Sequence, residues 1–170
     1  MPCNLNFNKC FSGCPYPRPI FTCYRNLIAL LNQSGTTIIN PTIEVSSAIT
    51  QISSPQTVAA GGLVVPSLTF SQGSSIIYDN AGTFTLTTGR YLINYNLNGI
   101  ISANGLNSYA VYLDGNIIPS SQSSTSGTIG SGASLSGSAF VQITNVAGAI
   151  TIRNTNINPQ LINSGSVTIQ

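Results

Sequence analysis

Histidine and tryptophan are absent from the 170 residues, methionine occurs once, and five basic and three acidic side chains carry all the formal charge. General acid–base chemistry needs a titrating group, usually His or a carboxylate pair. Here there is no His, and Glu44, Asp79 and Asp114 stand in separate segments. A Ser or Cys nucleophile therefore has no base beside it. The glycine-rich residues 60–63 lack the Lys and the strand-to-helix context of a phosphate loop. A calcium site would need Asp79 and Asp114 brought together by the fold. These absences exclude an enzyme, and no cofactor or metal is expected.

Other scarcities bear on partners. No apolar run approaches the roughly 18 residues of a membrane span, so no membrane partner is expected. The start, MPCNLNFNKC, does not follow the basic-then-apolar order of a secretory signal, so no signal peptide is expected. Lys9, Arg18 and Arg25 all fall in the first twenty-five residues but are scattered and interrupted by prolines, which makes a poor phosphate track, and no nucleic-acid partner is expected. A formal net charge of +2 gives little repulsion between copies and favours self-association.

What is present is a period of two. In residues 81–99, Phe84 and Leu86 alternate with Thr83, Thr85 and Thr87. After Gly89, Tyr91, Ile93, Tyr95 and Leu97 alternate with Arg90, Asn94, Asn96 and Asn98. This predicts a β-hairpin or a bent strand pair with one buried face, Gly89 supplying the freedom for a turn or bulge. Similar segments recur from residue 36 onward at the spacing of a sandwich, and Asp114-Gly115-Asn116 is a strong turn signal. The fold class is all-β.

The order Gly82-x-Phe84-Thr85, then Gly89-x-Tyr91-x-Ile93-x-Tyr95, resembles the G-x-F-T-x-x-x-P-G-x-Y-x-F-x-Y signature of complement 1q and tumour-necrosis-factor-like jelly rolls. The Phe-to-Gly spacing is one residue shorter, the proline is missing, and Ile93 stands for Phe. Residues 108–118, 134–143, 150–154 and 166–170 are similar to the bacterial branch of that fold, in particular the C-terminal domains of BclA-type collagen-like spore-surface glycoproteins. The resemblance implies an antiparallel β-sandwich jelly roll whose inner sheets meet in threes at an axis. It also implies a bacterial spore surface (exosporium, coat or appendage) reached by assembly from the mother-cell cytoplasm. The Gly-X-Y stalk of BclA-type proteins is absent here.

Two parts are expected: a Cys/Pro-rich connector arm, 1–35, and the jelly roll, 36–170. The arm holds Cys3, Cys10, Cys14 and Cys23, with Pro15, Pro17 and Pro19 forming an extended spacer. The cysteine spacing does not match paired C-x-x-C zinc motifs. Disulfides are expected, within one chain or as intersubunit crosslinks, with reduced buried thiols as the alternative. Thr22 to Asn32 reads as a short helix, a strand being the competing reading. Residues 36–45, broken by Pro41, read as an edge or bulged strand. Residues 119–138 read as a long exposed loop with a short strand near its end.

In residues 139–143 Ala139, Val141 and Ile143 share one face, leaving Phe140 on the other. Leu92 and Tyr112 likewise stand on polar faces. Leu92, Tyr112 and Phe140 are the expected trimer interface. The expected function is a structural subunit of a spore-surface layer, appendage or fibre. It would form a homotrimer that stacks head to tail through the docking arm, with other spore-surface proteins as further candidate partners. The alternative is a trimeric receptor- or carbohydrate-binding tip, for which the Ser/Gly-rich residues 119–138 speak.

Overall fold

Two strands are far longer than the rest, β5 (Thr83–Ile100) and β9 (Gly132–Asn154), and the other elements arrange themselves around them. They come from a computed structural model that describes residues 45–170. The expectations for the arm, its cysteines and residues 36–44 lie outside the described residues. Residues Glu44–Gln170 form one compact unit. The remaining strands are β1 (Ser47–Ile52), β2 (Gln56–Val58), β3 (Ser67–Gln72), β4 (Ile76–Tyr78), β6 (Leu106–Leu113), β7 (Asn116–Ile117), β8 (Ser123–Ser126) and β10 (Gln160–Ile169), with one 3-10 turn at Pro119–Ser121. Among the described residues no helix is long and apolar enough to cross a membrane.

β5 and β9 pair antiparallel from Ile100 opposite Gly132 to Thr83 opposite Thr151. Their register slips once: Thr87 faces Ala147 and Gly89 faces Ile143, which leaves Thr88 and residues 144–146 out of the ladder. At that slip the ribbon passes from one layer to the other. In the first layer β3, β1, β10, residues 90–100 of β5 and residues 132–143 of β9 lie side by side, with β2 added to the start of β10. In the second, β4, residues 83–87 of β5, residues 147–154 of β9 and β6 follow in order, and β7 and β8 pair with β6. All pairings are antiparallel. The result is an all-β antiparallel sandwich of jelly-roll type. Residues 81–99 thus form one bent strand across both layers, the bend being the bulge expected near Gly89, and not a hairpin.

The period of two is realised along the whole of β5. Phe84, Leu86, Tyr91, Ile93, Tyr95 and Leu97 are buried, while Thr85, Leu92, Asn94 and Asn96 face outward. They pack with Val141, Ile143, Ile150, Ile152, Val167 and Ile169 into one core. Phe84 is fully buried and its ring stacks on Tyr78 at 4.5 Å between centroids. Each large apolar side chain so buried contributes about 1.5–3 kcal/mol. The β6–β7 hairpin turns through Asp114 and Gly115, both at positive φ (50° and 79°), as a two-residue turn of the type that matches strand twist requires.

Residues 119–138 depart from the expected loop. Their first part is the 3-10 turn, followed by β8, and Gly132 already begins β9, so the loop proper is residues 127–131. Ser121 explains the difference. It is buried, its hydroxyl accepts from the Val111 amide (2.8 Å) and donates to the Ile118 carbonyl (2.7 Å). A polar side chain bonded in this way anchors a segment whose composition alone suggests solvent.

Candidate assembly face

The outward side of the first layer is the most unusual surface of the described residues. Leu92 on β5 and Phe140 on β9 stand directly opposite one another, and Phe140 is 67% exposed. Leu92 also exchanges backbone hydrogen bonds with Gln170 (2.8 and 3.1 Å), so the C-terminus lies alongside. Residues directly opposite in adjacent strands share a face, so the registers trace whole rows. Phe70, Ile49, Thr168, Asn94 and Ser138 form one; Gln51, Ser166, Asn96 and Ser136 form the next. Asn98 and Ser134 follow, with the Asn98 amide donating to Asn96 at 3.3 Å. None of these side chains is charged. Arg90, opposite Gln142, stands beyond Leu92 at one rim.

The face is therefore an uncharged β-surface with apolar residues at Phe140, Leu92, Ile49 and Phe70 set among amides and hydroxyls. It can pack against a like surface without desolvating a charge, the costly step in burying polar surfaces. Two of the three expected interface residues meet here. The third does not: Tyr112 lies on β6 in the second layer, half-buried, with the Arg153 guanidinium 5.2 Å from its ring centroid. Its place in the apolar/polar alternation resembles that of Leu92, but the sheet carrying it faces the other way. The cation–π contact accounts for an aromatic ring at that position.

The two described carboxylates do not come together as ligands. Asp79 Oδ1 accepts from the Ala81 and Thr83 amides (2.7 and 2.9 Å), and these bonds, that from Thr83 foremost, hold its carboxyl below the usual carboxylate range. Asp114 accepts from the Ala149 amide at 2.8 Å. Among the described residues there is no cluster of three or more His, Cys, Asp or Glu.

One feature escaped the sequence reading. Asn154, fully buried, donates to the carbonyls of Val58, Ala59 and Asn158 (3.1, 3.1 and 2.9 Å) and accepts from the Asn156 amide (2.8 Å). Asn156 bonds Asn104 (2.8 Å), and Asn107 bridges the Ser102 amide and the Ile100 carbonyl (2.9 and 2.8 Å). These asparagines join the β5–β6 and β9–β10 connections into one hydrogen-bonded polar end. The only local signal was the asparagine density of residues 154–158 and 104–107.

Two antiparallel layers wrapped by one folded ribbon make a jelly roll, and in fold it resembles the complement 1q and tumour-necrosis-factor jelly rolls. Comparison with solved structures places particular proteins beside it. Eiger TNF from S. frugiperda matches with a TM-score of 0.62 and 13% identity over 75% of this chain and 92% of that one. The globular domain of zebrafish complement 1qA matches with a TM-score of 0.58 and 10% identity over 74% and 94%, and murine APRIL at pH 5.0 with 0.58 and 10% over 73% and 98%. At such identities the likeness is one of fold. No protein-family model and no curated protein matches the sequence.

Proposed function

We infer that this chain is a structural subunit of a bacterial spore-surface layer, appendage or fibre. It assembles as a homotrimer through the outward side of the first layer, and the N-terminal arm links one trimer to the next. The observation that carries the reading is the uncharged face centred on the Leu92–Phe140 pair. A phenylalanine two-thirds exposed within a broad uncharged β-surface favours cover by another protein surface, and a threefold closure buries three such pairs at once. The spore-surface placement rests on the resemblance of residues 108–118, 134–143, 150–154 and 166–170 to BclA-type domains. With no collagen repeat, the short arm suits close head-to-tail stacking, and its four cysteines suit crosslinks between units. The alternative of a binding tip drew on residues 119–138 as a long loop, and most of them are built into β8 and β9.

The test is the mass of the full chain by light scattering beside Leu92→Glu/Phe140→Glu, with circular dichroism as a control of folding. A trimer that becomes a folded monomer in the variant is expected. A monomeric parent chain would overturn the reading. Negative-stain microscopy with and without reductant then reports whether filaments form and whether disulfides hold them.

A further inference from the structure

Among the described residues the first layer ends at β3, with no strand beyond it. All six residues of β3, Ser67–Gln72, are exposed, and among the described residues β1 is the only strand that pairs with it. Natural edge strands are usually guarded by charge, by an internal proline, by a bulge or by shortness. The sequence SLTFSQ has neither charge nor proline, its one irregularity is the bulge at Thr69 in the register with β1, and Leu68 and Phe70 are 40% and 48% exposed. The other free edges differ. β2, β4, β7 and β8 have three, three, two and four residues, and residues 132–143 of β9 carry Phe140, which the trimer reading already places in an interface.

The chain outside the described residues contains a segment suited to this edge. Of residues 36–43, TTIINPTI, six are β-branched: Thr36, Thr37, Ile38, Ile39, Thr42 and Ile43. None is charged. Pro41 lacks an N–H and is admissible only in an outermost strand. Eight extended residues span about 26 Å, enough to run the length of a six-residue strand of about 20 Å. The chain enters β1 beside the end of β3, where Ser47 faces Gln72 and the Ser46 hydroxyl accepts from the Ser75 amide at 3.3 Å. To reach the free side of β3 in the same molecule it would have to turn back around that pinned β3–β4 connection. A neighbouring copy faces no such reversal.

We propose that the free edge of β3 is the docking site for residues 36–43 of a second copy, which add to the first layer as a further strand. Main-chain hydrogen bonds supply the affinity, and the β-branched side chains cover Leu68 and Phe70. The proposal rests on the assembly reading above in taking the β9 edge as occupied, and it names where the segment that follows the arm attaches to the next unit.

The experiment places a photo-crosslinking phenylalanine analogue at Thr69 in the full chain, irradiates the assembled protein, and maps the joined peptides by mass spectrometry. The expected product joins two chains through a peptide containing residues 36–43. It is lost in Ile38→Pro/Ile39→Pro, where the added strand lacks donors, and Ser71→Lys, which guards the edge, abolishes end-to-end assembly. Crosslinks to residues 36–43 confined to single chains, crosslinks only to other segments, or assembly unchanged by Ser71→Lys would each overturn the docking. Light scattering on the same samples reports the trimer separately, so a trimer without the crosslink sinks only the docking, and a crosslinked pair without a trimer sinks only the threefold reading.

Discussion

Tyr95 is held by its hydroxyl as well as its ring. Its single proton is shared between the carbonyls of Tyr109 (2.9 Å) and Ser121 (2.8 Å), which ties β5 to β6 and to the 3-10 turn through the core. Tyr95→Phe leaves two buried carbonyls short of a donor and is expected to cost about 1–3 kcal/mol in denaturant unfolding. The same site makes stability pH-dependent. Burial pushes the Tyr95 phenol up from 10.0 to about 12 and raises that of Tyr109 as well. Above pH 10 the unfolded chain sheds phenolic protons that the folded chain retains, so stability falls with rising pH. The effect is absent below pH 10 and grows until the folded phenol itself ionises near 12. Thermal melts between pH 9 and about 12 are expected to show a falling Tm, with a shallower fall in Tyr95→Phe. A Tm flat across that range would contradict the burial argument.

At the scale of the element, the β5–β9 ribbon depends on one close cross-strand fit. Gly137 stands opposite Tyr95, and a Cβ built on it would lie 2.4 Å from the Tyr95 ring and its hydroxyl. The ring cannot yield freely, because its hydroxyl is fixed at both carbonyls. Gly137→Ala is expected to destabilise by about 1–3 kcal/mol, the range of overpacked cores. Because the two residues touch, the double variant with Tyr95→Phe should fall short of the sum of the single effects. Strict additivity in a double-mutant cycle would show that the ring yields without losing its bonds. Much of the ribbon was legible in the sequence, since alternation reports which side of a strand is buried, and Leu92 and Phe140 stood out as apolar residues on the polar side. Which layer a strand joins is not a local property, so Tyr112 matched the pattern yet belongs to the other sheet. Ser121 and the asparagine end were illegible for a related reason. Their partners, such as Asn104 for Asn156, come from distant segments that only the fold brings together.

For the whole molecule, the scarcity of charge becomes a statement about assembly. Rows from Phe70 to Ser138 and from Gln51 to Ser136 contain amides, hydroxyls and apolar groups, and among the described residues Arg90 is the charged side chain at their rim. An interface built from ion pairs weakens as salt screens it, with a Debye length falling from about 10 Å at 0.1 M to about 3 Å at 1 M. An uncharged interface has no such attraction to lose. With a net charge of only +2, there is also little repulsion for salt to relieve. The proposed trimer is therefore expected to show no loss of association between 0.1 and about 1 M sodium chloride in sedimentation velocity. Sulfate, which strengthens apolar burial, should tighten it. Dissociation into monomers as sodium chloride rises would mean that charges hold the assembly. The contacts would then have to be sought at the Arg90 rim of the Leu92–Phe140 face or among the three basic residues of the arm.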